Sequence, residues 1–345
     1  MRLSVLDLVP VRTGQSSAEA VAASLALVRL ADELGLTRYW FAEHHNMPAV
    51  ASTSPPVLAA AAAAVTDRIR LGSGGVMLPN HAPLIVAEQF AALEAIAPGR
   101  IDLGIGRAPG SDPVITALLR QSGLAGDVEH FPEQVTDILS LVRPGGATLR
   151  LTTGREYPIA ATPSAHSSPE LWLLGSSDYS ARLAAQLGLP YVFANHFAGD
   201  GLERALELYR EQYTPSEAHP EPETFLTLNA SVDEDAERAR AFALPQARSF
   251  ARIRTNRPHI AAETVEQVQR AEPDPVLDGL AEKVLERWIV GDADTAAARI
   301  RELAGRFGVD EVMISPAGGA SEADPIDRVP SRERTVRLLA ERLLG

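Results

Sequence analysis

Apolar and polar positions along this chain switch repeatedly between two periods. The run "LSVLDLV" (3–9) is short, apolar and rich in β-branched residues, which predicts a strand. Residues 17–34 then place Val21, Leu25, Val28 and Ala31 at helical spacing, with Ser16 or Ser17 to cap the start and Gly35 to stop it. The unit repeats as strand 38–43 with helix 55–65, whose opening prolines suit a first helical turn. Strand 69–78, helix 83–96 ended by Pro98-Gly99, and strand 100–106 follow. Strand 171–175, helix 177–187, strand 190–194 and helix 200–213 continue the series, and 224–232 and 311–316 add two more strands. Eight short strands interleaved with helices predict an α/β fold, a (β/α)8 TIM barrel, spanning 1–345 as a single domain.

Two stretches break the rhythm. Residues 142–169 are rich in Pro, Gly, Ser and Thr and predict a small hairpin. Residues 233–290 are charged and mostly helical, and in a barrel such an insertion belongs at the mouth, where it can act as a lid.

Composition narrows the function classes. Apolar residues make up 46% of the 345, enough for a large core, yet no apolar run reaches membrane-spanning length. The absence of cysteine removes disulfides, thiolate metal sites and cysteine nucleophiles together. The N-terminus shows no signal-peptide pattern, so a cytoplasmic location is expected, with no membrane partner. A net charge of −13 speaks against general nucleic-acid binding.

In a barrel, active residues sit at the C-terminal strand ends. Asp7, Glu43-His44-His45, Ser73-Gly74-Gly75, "GRAPGSD" (106–112), "GSSDYS" (175–180) and "NHF" (195–197) all fall there. Successive histidines on extended backbone point to opposite sides, so His44 and His45 are poorly placed to share a metal, and no metal is expected. One of them is a candidate for proton transfer, and a buried, hydrogen-bonded histidine beside an exposed one stands as the other reading. Gly74 and Gly75 inside an apolar strand mark either a bulge or a platform for a flat ligand. Gly175-Ser176-Ser177 ahead of a helix offers free N–H groups and hydroxyls to a phosphate, or else ordinary N-capping. Arg107 would be the phosphate's cationic partner, or a surface arginine; Asp178 fits a phosphate site only if it points away. Asp7, Phe193, Asn195, His196 and Trp288 are candidate substrate-pocket residues, each equally readable as core packing. Neither a dinucleotide fingerprint, a P-loop nor a G-x-S-x-G elbow is present.

"FAEHHNMP", "LGSGGVMLPNHAPLIVAEQFAALEAIAPGRIDLGIGRAPG" and "WLLGSSDYSARLAAQLGLPYVFA" resemble the bacterial luciferase-like flavin monooxygenases, and the likeness covers nearly the whole chain. The resemblance implies reduced FMN bound at the barrel mouth. The ring would rest on a bulge at Ser73, Gly74 and Gly75, often across a non-proline cis peptide in that family. Gly175, Ser176, Ser177 and Arg107 would hold the phosphate, and His44 would be the catalytic residue. It further implies a small organic substrate oxygenated with O2 through a flavin C4a-peroxide, FMNH2 from a separate flavin reductase, and a homodimer formed through 57–65 and 83–96. Gly106 stands where light-emitting members carry a reactive cysteine, so light emission is not expected. The rival readings are an F420-dependent oxidoreductase on the same scaffold, a non-catalytic flavin-binding barrel, and a metal hydrolase using His44, His45 and Asp7.

Overall fold

The computed structural model describes residues 1–108, 110, 113–120, 128–197, 199–255 and 257–344. Of the expected "GRAPGSD" loop, Pro109, Ser111 and Asp112 lie outside the described residues.

Its strands are β1 (Arg2–Asp7), β2 (Arg38–Phe41), β3 (Arg70–Met77), β4 (Ile101–Gly106), β5 (Ala147–Arg150), β6 (Glu156–Ile159), β7 (Glu170–Gly175), β8 (Tyr191–Phe193), β9 (Leu226–Asp233), β10 (Ile289–Asp292) and β11 (Glu311–Pro316). Among the described residues, nine of them form one parallel sheet in the order β10-β9-β11-β1-β2-β3-β4-β7-β8. The ends meet where Tyr191 and Thr224 form a parallel bridge, with the Tyr191 N–H donating to the Glu223 carbonyl at 3.0 Å. Eight strands therefore close a TIM barrel, as the βα rhythm predicts. The ninth, β10, is a strand that the sequence pattern missed at the C-terminal end of the charged insertion. It pairs with the C-terminal half of β9 outside the closed wall. β5 and β6 form a separate antiparallel pair.

Local chemistry sets the helix limits. Ser16 and Glu19 form a capping box at the start of helix 17–33. Prolines open helices 55–63 and 83–96, and Gly188 and Gly308 close helices 178–187 and 293–307 at φ 62° and 61°. Helices 131–142, 293–307 and 330–343 supply further βα units, and helices 236–254, 265–270 and 275–285 fill the stretch between β9 and β10. Among the described residues, no helix is long and apolar enough to cross a membrane.

Strand alternation divides the core in two. Leu3 and Val5 pack against the helices, while Leu6, Trp40, Trp172, Val192, Phe225 and Met313 fill the barrel interior. Trp40, Trp172 and Phe225 meet there with ring centroids 5.1–5.7 Å apart. Beneath them Arg38 closes the N-terminal end. Its guanidinium lies 4.7 Å from the Trp172 ring centroid and donates to Glu311 at 2.7 Å and to Asp102 at 3.0 Å.

Candidate active site

The mouth is built from segments leaving the C-terminal strand ends, and the two-residue period decides which side chains enter it. On β1, Asp7 shares the outward face of Leu3 and Val5. Its carboxylate accepts from the Ser24 hydroxyl (2.6 Å), the Tyr39 hydroxyl (2.5 Å), the Val9 N–H (2.8 Å) and Arg332 (2.6 Å). Burial opposes its charge, but Arg332 and these donors hold the carboxyl below the usual range. The pocket role expected for Asp7 is thereby corrected: it ties β1 to the first and last helices. Phe193 is corrected for the same reason. It is buried on the outer face with Tyr191, and Val192 is the β8 residue that points inward. Trp288 is buried in the apolar core of the helical insertion, edge-on to Phe250 at 5.6 Å, so it holds that insertion together.

After β2 the histidine doublet splits. His45 Nε2 donates to Glu43 Oε1 at 2.8 Å, and His81 Nε2, from the loop after β3, donates to the same oxygen at 2.8 Å. Glu43 Oε2 accepts from the Met77 N–H at 3.0 Å, so one buried carboxylate clamps two mouth loops together. Burial alone would raise its pKa, but the His45, His81 and Met77 contacts bring it down to about 2. Because the folded value is depressed, the stabilisation is complete above the ordinary value of 4.5 and is lost as pH falls from there towards about 2. The urea-midpoint advantage of wild type over Glu43→Gln is therefore expected to be largest above pH 5 and to shrink steadily towards pH 2. An advantage independent of pH would refute the clamp.

His44 behaves differently. Its backbone N–H donates to the Ser52 carbonyl at 3.0 Å, yet among the described residues its buried ring Nδ1 has no partner. Burial lowers the pKa of the ring; Glu43 opposes that shift and His45 adds to it. Asn195 and His196, past β8, reach the inner face of β9. Asn195 Nδ2 donates to the Thr227 carbonyl at 3.0 Å, and the His196 ring meets the Thr227 hydroxyl at 3.1 Å. Burial, and next the charge of His44, lower His196 to about 4. His44 and His196 thus share the mouth, whereas His44, His45 and Asp7 do not converge. A grouping of Glu170, His219 and Glu223 lies at the opposite end of the barrel, with Glu170 paired to Arg70 at 3.0 Å.

The β3 glycines are packing requirements in their own right. The β3–β4 register shifts between Ser73 and Val76, and the Gly74–Gly75 peptide is cis. Ser73 is buried, its hydroxyl donating to the Gly104 carbonyl at 2.8 Å. A Cβ on Gly74 would stand 2.5 Å from Leu6 Cδ1, and one on Gly75 would stand 2.8 Å from the Gly104 carbonyl oxygen and closer still to Leu174. The Gly104 oxygen is backbone within the barrel wall and cannot swing aside. Gly75→Ala is therefore expected to cost about 1–3 kcal/mol in urea unfolding, and an unchanged midpoint would show that the wall yields.

After β7, Gly175 admits Ser180, which a Cβ would strike. Ser177 occupies the N-cap of helix 178–187 without a side-chain cap bond, and Ser180 reaches back to the Ser177 carbonyl at 2.8 Å. The helix therefore begins with exposed serines at positions 176 and 177 and, among the described residues, no side-chain cap on its first N–H groups, an arrangement suited to an anion. Arg107 lies with its guanidinium 4.1 Å from the Tyr179 ring centroid, over the same helix start. Asp178 is drawn away by Arg204 at 2.8 Å.

Sequence reasoning passed over His81, Thr227, Asn229 and Arg38. Thr227 and Asn229 were readable as the inward set of β9, since Leu226, Leu228 and Ala230 occupy the opposite face. For Arg38 the only local sign was a cation opening an apolar strand.

A family model described as luciferase-like monooxygenase matches residues 1–311. A luciferase-like monooxygenase of Escherichia coli (strain K12) is 37% identical over 320 residues, 90% of each chain. The structure of apo-MsnO8 superposes with a TM-score of 0.84 at 32% identity, over 99% of this chain and 98% of the other. The same fold, at 18% identity, is shared by the FMN complex of the oxygenating constituent of 3,6-diketocamphane monooxygenase from Pseudomonas putida (TM-score 0.70, 99% and 98% covered) and by the F420-dependent tetrahydromethanopterin reductase of Methanopyrus kandleri (0.68, 99% and 98%). By the match along its length and by the barrel that carries it, this chain belongs to the luciferase-like monooxygenase family of oxidoreductases.

Proposed function

We propose that the chain is the oxygenase of a two-component system, binding reduced FMN at the mouth and inserting one atom of O2 into a small organic substrate. A separate flavin reductase provides the FMNH2. The observation that carries this reading is that His44, whose buried Nδ1 has no partner among the described residues, follows one wall strand, while a helix start without a side-chain cap, flanked by Arg107, follows another at the same end of the barrel. The donor set fits the cofactor. Ser176, Ser177 and the helix N–H groups suit the phosphate with Arg107 as counter-charge, and Ser73, Gly74 and Gly75 give the ring a wall without large side chains. Reduced FMN supplies the electrons that activate O2. The protein's part is to orient the substrate, to keep water out beneath helices 236–254 and 275–285, and to move a proton at His44.

Anaerobic titration with FMNH2 and, separately, with F420H2 tests the assignment. Tight FMNH2 binding weakened by Arg107→Ala supports it. Binding of F420H2 alone would move the protein to hydride transfer without oxygen, and binding of neither would sink both readings.

The homodimer belongs to the same proposal. Val57, Ile85 and Ile96 are 66%, 49% and 58% exposed on helices 55–63 and 83–96, apolar positions that a second copy would cover. Ile85→Arg is expected to shift sedimentation from dimer to monomer, and a monomeric wild type would remove this part of the reading.

A further inference from the structure

Thr227 stands on the inward face of β9, and its hydroxyl donates to the Phe193 carbonyl at 3.0 Å. Its single hydrogen being spent, the hydroxyl can only accept from His196. It does so twice, from the His196 backbone N–H at 3.3 Å and from ring Nδ1 at 3.1 Å. The ring hydrogen therefore sits on Nδ1, and the lone pair of the neutral imidazole sits on Nε2. Asn229 Nδ2 donates to the His196 carbonyl at 2.6 Å, and Asn195 Nδ2 to the Thr227 carbonyl at 3.0 Å, so the backbone that carries the ring is tied to β9. His44 is the charged neighbour His196 feels, and its own buried Nδ1 has no partner among the described residues. The other titratable groups bearing on the two rings are Glu43, which favours a proton on His44, and His45, which disfavours it.

We propose that His196 is a second proton-accepting residue of the mouth, its Nδ1–H tautomer fixed by Thr227 and its Nε2 left as the acceptor. The catalytic consequence rests on the mouth being the oxygenation site. His196 Nε2 then accepts a proton from a substrate O–H, N–H or S–H group.

The test uses the full-length protein without cofactor, labelled with ¹⁵N-histidine, and long-range ¹H–¹⁵N correlation spectra across pH 3.5–8. At pH 7 His196 is expected as the Nδ1–H tautomer. Thr227→Val is expected to move His196 towards the Nε2–H tautomer, and Thr227→Ser to keep the wild-type pattern. A wild-type His196 in the Nε2–H form, or a Thr227→Val variant whose His196 tautomer is unchanged, would overturn the proposal. These spectra need no flavin, so a failed FMNH2 titration would count against the flavin reading and leave the His196 assignment standing.

Discussion

Replacing His44 by alanine is expected to slow substrate oxygenation by about 10²–10⁴-fold, the usual worth of a positioned acid–base group, while barely moving the thermal midpoint. The reason lies in what the ring does not do. Its Nδ1 is buried without a partner among the described residues, so removing it breaks no side-chain hydrogen bond there. Burial also keeps the imidazole neutral near pH 7, the form that accepts a proton. His45→Ala makes the contrast. That ring is bonded to the Glu43 clamp, so its loss is expected to destabilise by about 1 kcal/mol and to slow turnover far less. Single-turnover oxidation after mixing the FMNH2-loaded variants with O2, alongside calorimetry, separates the two. A His44→Ala enzyme within about threefold of wild type would remove His44 from the chemistry.

The largest stability loss is expected at the other end of the barrel. Arg38→Leu should cost about 3–5 kcal/mol in urea unfolding, although leucine fills much of the space. Arg38 is the shared counter-charge of Glu311, bonded at 2.7 and 3.2 Å, and of Asp102 at 3.0 Å, all buried. Asp102 keeps Arg70 and the Trp40 indole, but among the described residues Glu311 keeps only the Ser4 hydroxyl at close range and Arg2 at 3.4 Å. The penalty is thus mainly an uncompensated carboxylate. It follows that Arg38→Leu combined with Glu311→Gln should lose less than the two single losses added together. Additive losses would mean that Arg38 acts by packing on Trp172 and Phe225 and not by charge. Lysine is expected to rescue poorly, since it lacks the planar fork that bonds Glu311 twice.

Much of this was legible before any contact was known. All eight wall strands follow from short apolar runs set between helical periods, because both periods are local properties of a few consecutive residues. The same rule, carried one step further, would have excluded Asp7 and Phe193 from the pocket. Asp7 follows Leu3 and Val5 at steps of two, and Phe193 follows Tyr191. It would equally have admitted Thr227 and Asn229. The strand β10 stayed hidden because "IVGD" is too short to show alternation, and it exists by pairing with β9.

What the sequence determined by itself is the barrel and the strand ends that frame its mouth: βα repeats fix strand ends, and strand ends offer candidates. What only the tertiary structure decided is the role each candidate plays. The doublet at 44 and 45 is chemically symmetric on paper; in the fold Glu43 binds His45 and, across 38 residues, His81, while His44 Nδ1 is buried without a partner among the described residues. Arg332 reaches Asp7 across 325 residues, and Arg38 reaches Glu311 across 273. A side chain's protonation state, tautomer and freedom depend on which partner arrives from elsewhere in the chain, and no local period encodes that arrival.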